Sequence, residues 1–252
     1  MKPASPAIHL GYLLVLWAAA VAIPVSAEEV RVRWVADGDT VRLEDGRRVR
    51  LLGIDAPETG GRDGRPQYFA REAHARLQEL VLSTRVRLEL EDQGQDRYGR
   101  VLAWLYLPDG RMVNEMLVAE GFAFFYHHPG QQPDLQARLL AAQRRAMAEN
   151  AGFWPCILAL PAPPPGWVGN RRSRRFHHPD SAHAGQISPR NRVELRTLEA
   201  AFHEGYAPAR GSSPWPGAEH KEHTLCSAPG NENDPLGPSE EQASSPGTQH
   251  FL

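Results

Sequence analysis

Val30-Arg31-Val32-Arg33-Trp34-Val35-Ala36-Asp37-Gly38-Asp39-Thr40-Val41-Arg42-Leu43 is the stretch whose reading decides the fold. Val30, Val32 and Trp34 fall on one face of a strand and Arg31 and Arg33 on the other, because successive side chains alternate along an extended chain. Asp37-Gly38 supplies a hairpin turn, and Thr40-Val41-Arg42-Leu43 runs back. A second turn at Asp45-Gly46 leads into Arg48-Val49-Arg50-Leu51-Leu52-Gly53-Ile54. The stretch therefore predicts a meander of three antiparallel strands, with Asp55 ending the third.

Working outward, Phe69, Ala73, Leu77, Leu80 and Val81 recur at helical spacing and predict a helix over 67–82. Strands are expected over 85–90 and 101–107, on either side of the polar loop 91–100. A short helix over 113–120 is stopped by Gly121, and Leu135, Leu139, Ala142 and Ala146 set a last amphipathic helix over 134–150. Five short strands with about three helices predict a mainly β, α+β domain: a five-stranded barrel of the OB type over residues 28–155.

The rest of the chain differs in character. Of the 22 prolines, 14 fall in 155–252, which marks a looser C-terminal third expected to be irregular. Residues 156–168, with Pro161-Ala162-Pro163-Pro164-Pro165, read as a stiff linker. Residues 169–212 contain one strand over 192–195 and one short helix over 198–203, and 213–252 read as a disordered tail. Residues 1–27 read as an export signal, with Lys2, an uncharged apolar core over 12–23 and the small-x-small pattern Val25-Ser26-Ala27. A secreted or periplasmic protein is expected, without stable membrane association once the signal is removed.

Charge and cysteine content exclude several classes. With 28 Lys+Arg against 30 Asp+Glu, the formal net charge of −2 leaves no polycationic surface, so any anion site must be local. Two cysteines, Cys156 and Cys226, exclude a disulfide scaffold and a cysteine-rich zinc protein. Whether these two pair after export is left open by the sequence.

The chemistry lies near the ends of the first strands. If the second and third strands pair antiparallel, Asp39, Asp55 and Glu58 return to one rim of the barrel. Carboxylates with a backbone carbonyl and water are what Ca²⁺ takes, and nitrogen or sulfur ligands are scarce in this region. Asp37 reads equally well as a turn residue. Arg50 and Arg100 read either as solvated edge residues or, paired with a metal site, as a clamp on the oxygens of a phosphodiester, whose charge grows in the transition state; Glu58 would then orient or deprotonate water.

The order and spacing of these pieces resemble the staphylococcal nuclease (thermonuclease) family. The resemblance runs over Asp37-Gly38-Asp39-Thr40-Val41, Arg50-Leu51-Leu52-Gly53-Ile54-Asp55-Ala56-Pro57-Glu58-Thr59, Asp96-Arg97-Tyr98-Gly99-Arg100, Met112-Val113-Asn114-Glu115 and Gly152-Phe153-Trp154. It implies an OB-fold endonuclease that hydrolyses DNA and RNA with Ca²⁺, without sequence preference, leaving 3′-phosphates. By position Asp39 and Asp55 match calcium carboxylates, and Ala56 matches a residue giving a carbonyl. Glu58 matches the water-positioning residue, and Arg50 and Arg100 match the phosphate-binding pair. Tyr98 matches a tyrosine near a terminal phosphate. Tyr126 stands where stacking aromatics are found, and packing within the domain is an equal reading. The rival is a non-catalytic OB-fold nucleic-acid-binding module. A monomer is expected.

The C-terminal segment resembles a small Ada-type metal-binding module through Phe176-His177-His178-Pro179-Asp180-Ser181, Asn191-Arg192-Val193 and residues 204–212. His177, Ser181, Ala209 and Ser212 stand at its cysteine positions, so no tetrahedral zinc site is expected. A weak nucleic-acid contact through Arg171-Arg172-Ser173-Arg174-Arg175, or none, is the remaining expectation. The 62–65 loop, with Arg62 and Arg65, is read as solvated or as a funnel for substrate.

Overall fold

The computed structural model describes residues 27–60, 65–210 and Ser212. The signal segment up to Ser26, Arg62, Cys226 and the tail expected from residue 213 lie outside the described residues.

The meander forms as expected. Strands β1 (Ala27–Asp37), β2 (Thr40–Leu43) and β3 (Arg48–Leu51) pair antiparallel, with Val32 opposite Leu43 and Thr40 opposite Arg50. The third strand is shorter than expected, and Asp55 is not on it. After Leu51 the chain turns through Gly53, at φ 71°, and Ile54–Asp55 form a separate short strand, β4. Only glycine serves at this turn. A Cβ there would lie 2.5 Å from Leu139 and 2.9 Å from Trp104, in addition to the strain of the left-handed conformation.

Helix α1 (Ala70–Val81) buries Ala70, Ala73, Leu77 and Val81, the face its spacing predicts. Strands β5 (Arg85–Gln95) and β6 (Val101–Tyr106) complete a closed barrel in the order β1-β2-β3-β6-β5. Closure comes from β5 pairing back on β1 and from the parallel pairing of β3 with β6, which removes the exposed edges of an open sheet. Val35, Val49, Leu77, Leu88 and Trp104 fill the core without measurable exposure. Each large apolar side chain so buried contributes roughly 1.5–3 kcal/mol.

Helix α2 (Val113–Ala119), strand β7 (Phe124–Phe125) and helix α3 (Pro133–Ala148) follow, and β7 pairs with β4. Buried Asn114 on α2 accepts from the Leu105 amide at 3.0 Å and donates to the Leu52 carbonyl at 2.8 Å. That one side chain ties β6 to the turn after β3, and so fixes where Asp55 emerges.

The C-terminal third is not irregular over its described part, which corrects the expectation. After α4 (Trp154–Leu158) come β8 (Trp167–Asn170), β9 (Arg175–His177), α5 (Ala182–Gly185), β10 (Arg192–Leu195), α6 (Leu198–His203) and β11 (Ala207–Pro208). The strands form a four-stranded sheet in the order β10-β8-β9-β11. The expected linker begins later than residue 156, because Cys156 and Ile157 are buried in α4.

An aromatic cluster joins this sheet to the barrel domain. Phe202 of α6 meets Phe124 at 5.5 Å, Trp154 at 4.9 Å and Phe176 at 5.5 Å between ring centroids. These separations are those of favourable tilted and edge-on aromatic pairs. Beside them, fully buried Gln143 of α3 accepts from the Phe125 amide at 2.7 Å and donates to the Phe202 carbonyl at 2.6 Å. The two units therefore share this aromatic cluster, which stands beside the barrel's own core.

Candidate active site

Four short segments converge at one rim of the barrel. Asp39 stands at the turn into β2, Arg50 on β3, Asp55 on β4 and Glu58 in the loop beyond it. Arg50 Nη2 reaches Asp39 Oδ2 at 2.9 Å and Asp55 Oδ1 at 2.6 Å. Its Nη1 donates to the carbonyls of Leu51 and Ile54, both at 2.9 Å, so the guanidinium is held flat against the turn that follows its own strand. Asp39 is buried; its second carboxylate contacts are the Ala56 amide, which donates to Oδ2 at 2.9 Å, and the Thr40 hydroxyl, which donates to Oδ1 at 3.0 Å.

Arg100 enters from the loop before β6. Asp96 holds it by accepting from its Nε at 2.8 Å and from its amide at 2.9 Å, leaving Nη1 to reach the Thr40 hydroxyl at 3.3 Å. Thr40 thereby links Arg100 to Asp39. Glu58 is exposed at the mouth of the site, and its backbone amide donates to Gln67 Oε1 at 2.7 Å.

The sequence-expected set is thus assembled: Arg50, Asp55, Glu58 and Arg100 line a cleft of about 1040 Å³, with Asp39 buried behind Arg50. That volume is at the upper end of roughly 300–1,000 Å³ typical of ligand sites.

Burial pushes Asp39 well above the usual carboxylate range; Arg50 opposes the shift, and Asp37 and Asp55 add to it. Burial likewise raises Asp55, against the pull of Arg50 and Arg175. Glu58 is raised by partial burial in the cleft and then by Asp37 and Asp55, with Arg50 and Arg100 opposing. The rim is therefore a carboxylate cluster whose pKa values are raised chiefly by withdrawal from water. An all-oxygen donor set of that kind fits a hard divalent cation. Among the described residues no three His, Cys, Asp or Glu side chains form a metal-binding group by themselves. The fit rests on two carboxylates supplemented by backbone and solvent oxygen.

The tyrosines differ from each other. Tyr98 is 45% exposed, and its hydroxyl accepts from Arg97 at 2.8 Å and from Arg210 at 3.2 Å. Tyr126 lines the cleft after β7, but Arg175 lies over its ring at 3.3 Å from the centroid. One face of Tyr126 is therefore taken by a guanidinium, and the partly buried side chain also packs against the aromatic cluster.

Sequence reasoning missed Arg210 as a lining residue and did not separate Arg175 from the basic run around it. Arg171 and Arg172 of that run are exposed, whereas Arg175 is turned inward and donates to the His127 carbonyl at 2.8 Å. Of the Ada-like positions, His177, Ser181, Ala209 and Ser212 gather at one end of the C-terminal sheet. There the Ala209 amide donates to the Phe176 carbonyl at 2.8 Å, and the Ser212 hydroxyl accepts from the His178 amide at 2.9 Å.

Comparison with known proteins decides what the cleft belongs to. The family model described as Staphylococcal nuclease homologue matches residues 48–156. A thermonuclease of Staphylococcus intermedius is 36% identical over 135 residues, covering 52% of this chain and 78% of the relative. The chain belongs to the staphylococcal nuclease family. It is a nuclease, a phosphodiester hydrolase, with the closed OB-like barrel of that family. An uncharacterized endonuclease of Escherichia coli is 34% identical over 145 residues, covering 56% of this chain and 84% of that protein. A micrococcal nuclease of Shigella flexneri is 33% identical over 131 residues, covering 48% and 70%. The family match ends inside α4, so the sheet β8–β11, with Arg175 at the start of β9 and Arg210 just after β11, lies beyond it.

Proposed function

We propose that this nuclease is an exported, Ca²⁺-dependent endonuclease that hydrolyses DNA and RNA without sequence preference and leaves 3′-phosphates. The observation that carries the metal and clamp reading is the position of Arg50, bridging Asp39 and Asp55 at the rim of a cleft that also holds Glu58 and Arg100.

Asp39, Asp55 and the Ala56 carbonyl are the groups that would hold the calcium. The bound ion supplies Lewis-acid stabilisation of a phosphoryl oxygen and lowers the cost of gathering carboxylates at the rim. Arg50 and Arg100 bind the non-bridging oxygens of the scissile phosphate, and their fork geometry tightens as charge accumulates there. Glu58, whose pKa is raised by burial, orients a water and takes its proton as the water attacks phosphorus. The bond to the 5′-oxygen breaks and that oxygen takes up a proton from water to leave as the 5′-hydroxyl, so the phosphate stays on the 3′ side. The small negative net charge supports a division of labour in which the local arginines and the metal, rather than a basic surface, give affinity for the backbone. The apolar segment before residue 28 supports export.

The test digests plasmid DNA, single-stranded DNA and RNA with the mature protein in Ca²⁺ or EGTA, beside Glu58→Ala and Arg50→Ala. Cleavage that needs Ca²⁺ and fails in both variants is expected. Undiminished cleavage in EGTA would sink the metal reading, and undiminished cleavage by both variants would sink the residue assignment. Tight binding without cleavage would favour the non-catalytic binding module.

A further inference from the structure

Two large apolar side chains are exposed among the described residues: Tyr98 beside the cleft, and Trp34, at 55%, on the outer face of the barrel. Trp34 is turned outward by a bulge in β1. The register with β2 shifts between Val32, opposite Leu43, and Trp34, opposite Arg42, so Arg33 and Trp34 both face solvent although they are neighbours in the chain. Strict alternation would have placed Trp34 on the buried side with Val30 and Val32. A bulge re-aims a side chain and disrupts the ladder locally; this one presents an indole to water.

The surroundings of the indole are cationic. Trp34 shares an open hollow of about 460 Å³ with Arg33, Arg42 and Gly46. Arg42 is the register partner of Trp34 on one side and of Arg48 on the other. Trp34, Arg42 and Arg48 therefore form a row across β1, β2 and β3, spanning roughly 10 Å at the usual distance between paired strands. Arg33, Arg42 and Arg48 are exposed, and none of them makes an ion pair among the described residues. Asp45 of the β2–β3 turn and Glu28 of β1 are held instead by Arg47.

The row ends at the cleft. Arg48 lines it, and its Nη2 donates to the carbonyl of Tyr98, in the loop that also carries Arg100. A cationic track thus leads from the cleft over the barrel face to an aromatic platform. A single-stranded polynucleotide alternates phosphate charge with flat base faces, and it is the polyanion that such a track and platform fit. Duplex DNA keeps its base faces stacked inside.

We propose that the outer face of β1, β2 and β3 is a distal binding site for the single-stranded substrate, in which Trp34 stacks a nucleobase several nucleotides from the scissile phosphate and Arg42 and Arg33 neutralise the backbone beside it. The proposal rests on the nuclease reading of the cleft and adds a contact that a short substrate cannot reach. Its consequence is a preference for long single strands over short oligonucleotides, without base preference, because every base has a face to stack.

The test is Trp34→Ala and Arg42→Gln in the full chain, with Trp34→Phe as the conservative variant. Both side chains are exposed, so the variants are expected to keep the melting temperature of the parent. Fluorescent dithymidylate and dodecathymidylate are bound in EGTA at several salt concentrations, and both are digested in Ca²⁺. Trp34→Ala should bind the dodecamer about tenfold more weakly and the dimer as the parent does, and Trp34→Phe should recover most of the loss. Arg42→Gln should show a log–log salt slope on the dodecamer shallower by about 0.7, the value for one lost phosphate contact on a single strand. In Ca²⁺ the KM of Trp34→Ala on the dodecamer should rise by the same factor with kcat unchanged. Unaltered dodecamer binding by Trp34→Ala, or equal losses on dimer and dodecamer, would overturn the proposal. So would loss in Trp34→Ala of binding to phosphatidylglycerol vesicles, or of a dimer in sedimentation, with dodecamer binding intact; these results would give the face to a membrane or to a second copy. Parent protein that binds the dodecamer without cutting it would refute the catalytic reading alone, because binding in EGTA would still decide the distal site. Normal cleavage with unaltered binding by the variants would refute the distal site alone.

Discussion

Arg50 Nη2 lies 2.9 Å from Asp39 Oδ2, and both side chains are almost withdrawn from solvent, at 13% and 6% exposure. They come from facing strands, since Thr40, the neighbour of Asp39, is the register partner of Arg50. On the proposed reading the phosphate-binding cation is held by the carboxylates that would gather the metal, so removing either partner should disturb two functions at once.

Arg50→Ala should lower kcat by about 10²–10³, the usual cost of removing one preorganised donor to a developing anion. It also leaves Asp39 and Asp55 facing each other, a loss of roughly 3–5 kcal/mol for a broken buried pair. Calcium should return part of that stability. Thermal melts of Arg50→Ala in EGTA and in Ca²⁺ check this, and an equal response of parent and variant would contradict it.

As the proposed base Glu58 would act in its ionised form, and its pKa is raised, first by burial and then by Asp37 and Asp55. Activity should therefore fall as pH drops through a value above that of an ordinary glutamate, with unit slope in log(kcat/KM). Glu58→Gln should lose about 10²–10⁴ in kcat and flatten that acid limb. A pH–rate profile of the two proteins, at saturating calcium throughout, is the measurement.

Raised pKa values for Asp39 and Asp55 predict a coupling between calcium and protons. As pH falls through these raised values the carboxylates take up protons, and the calcium needed for half-maximal activity should increase. The stability consequence has the opposite direction. A carboxylate with a raised folded pKa favours the folded chain below its unfolded value and loses that contribution as pH rises through the folded value. In EGTA the melting temperature of the parent relative to Asp39→Asn should accordingly decline with increasing pH. Calcium at about 100 times its Kd adds about 2.7 kcal/mol to the parent and little to the variant.

Gln143 satisfies the Phe125 amide and the Phe202 carbonyl across the junction of the two units. Gln143→Leu leaves both groups buried without their partner, at roughly 1–3 kcal/mol each. Its melting temperature should fall by several degrees. Because the aromatic cluster is shared, the intact chain should unfold in one calorimetric transition, and truncation before β8 should expose Phe124, Phe153 and Trp154 and lead to aggregation.

Much of the barrel was legible because its signals are local. Alternation in β1, the Asp-Gly turns and the spacing of Ala73 and Leu77 each act within a few residues. Two barrel elements were misplaced: β5 runs on to Gln95, through half of the expected polar loop, and Asp55 failed for a non-local reason. Gly53 turns the chain early at a positive φ, where Leu139 and Trp104, both from distant sequence, leave no room for a Cβ. The C-terminal strands were mostly missed because they are two to four residues long, too short for alternation to register. Phe202, Trp154 and Phe176 hold them in place by contacts that cross the whole chain.

By itself the sequence determined the barrel, the family and the chemical kinds of group available: carboxylates and arginines at fixed offsets from tight turns. Tertiary structure alone decided that Arg50 would bridge Asp39 and Asp55, that Arg175 would cover Tyr126, and that Arg210 would reach Tyr98 over 112 residues. The physical reason is one of range. Strand alternation and turn chemistry are written into neighbouring residues, whereas a cleft wall built by a second sheet exists only once buried aromatics have joined the two units.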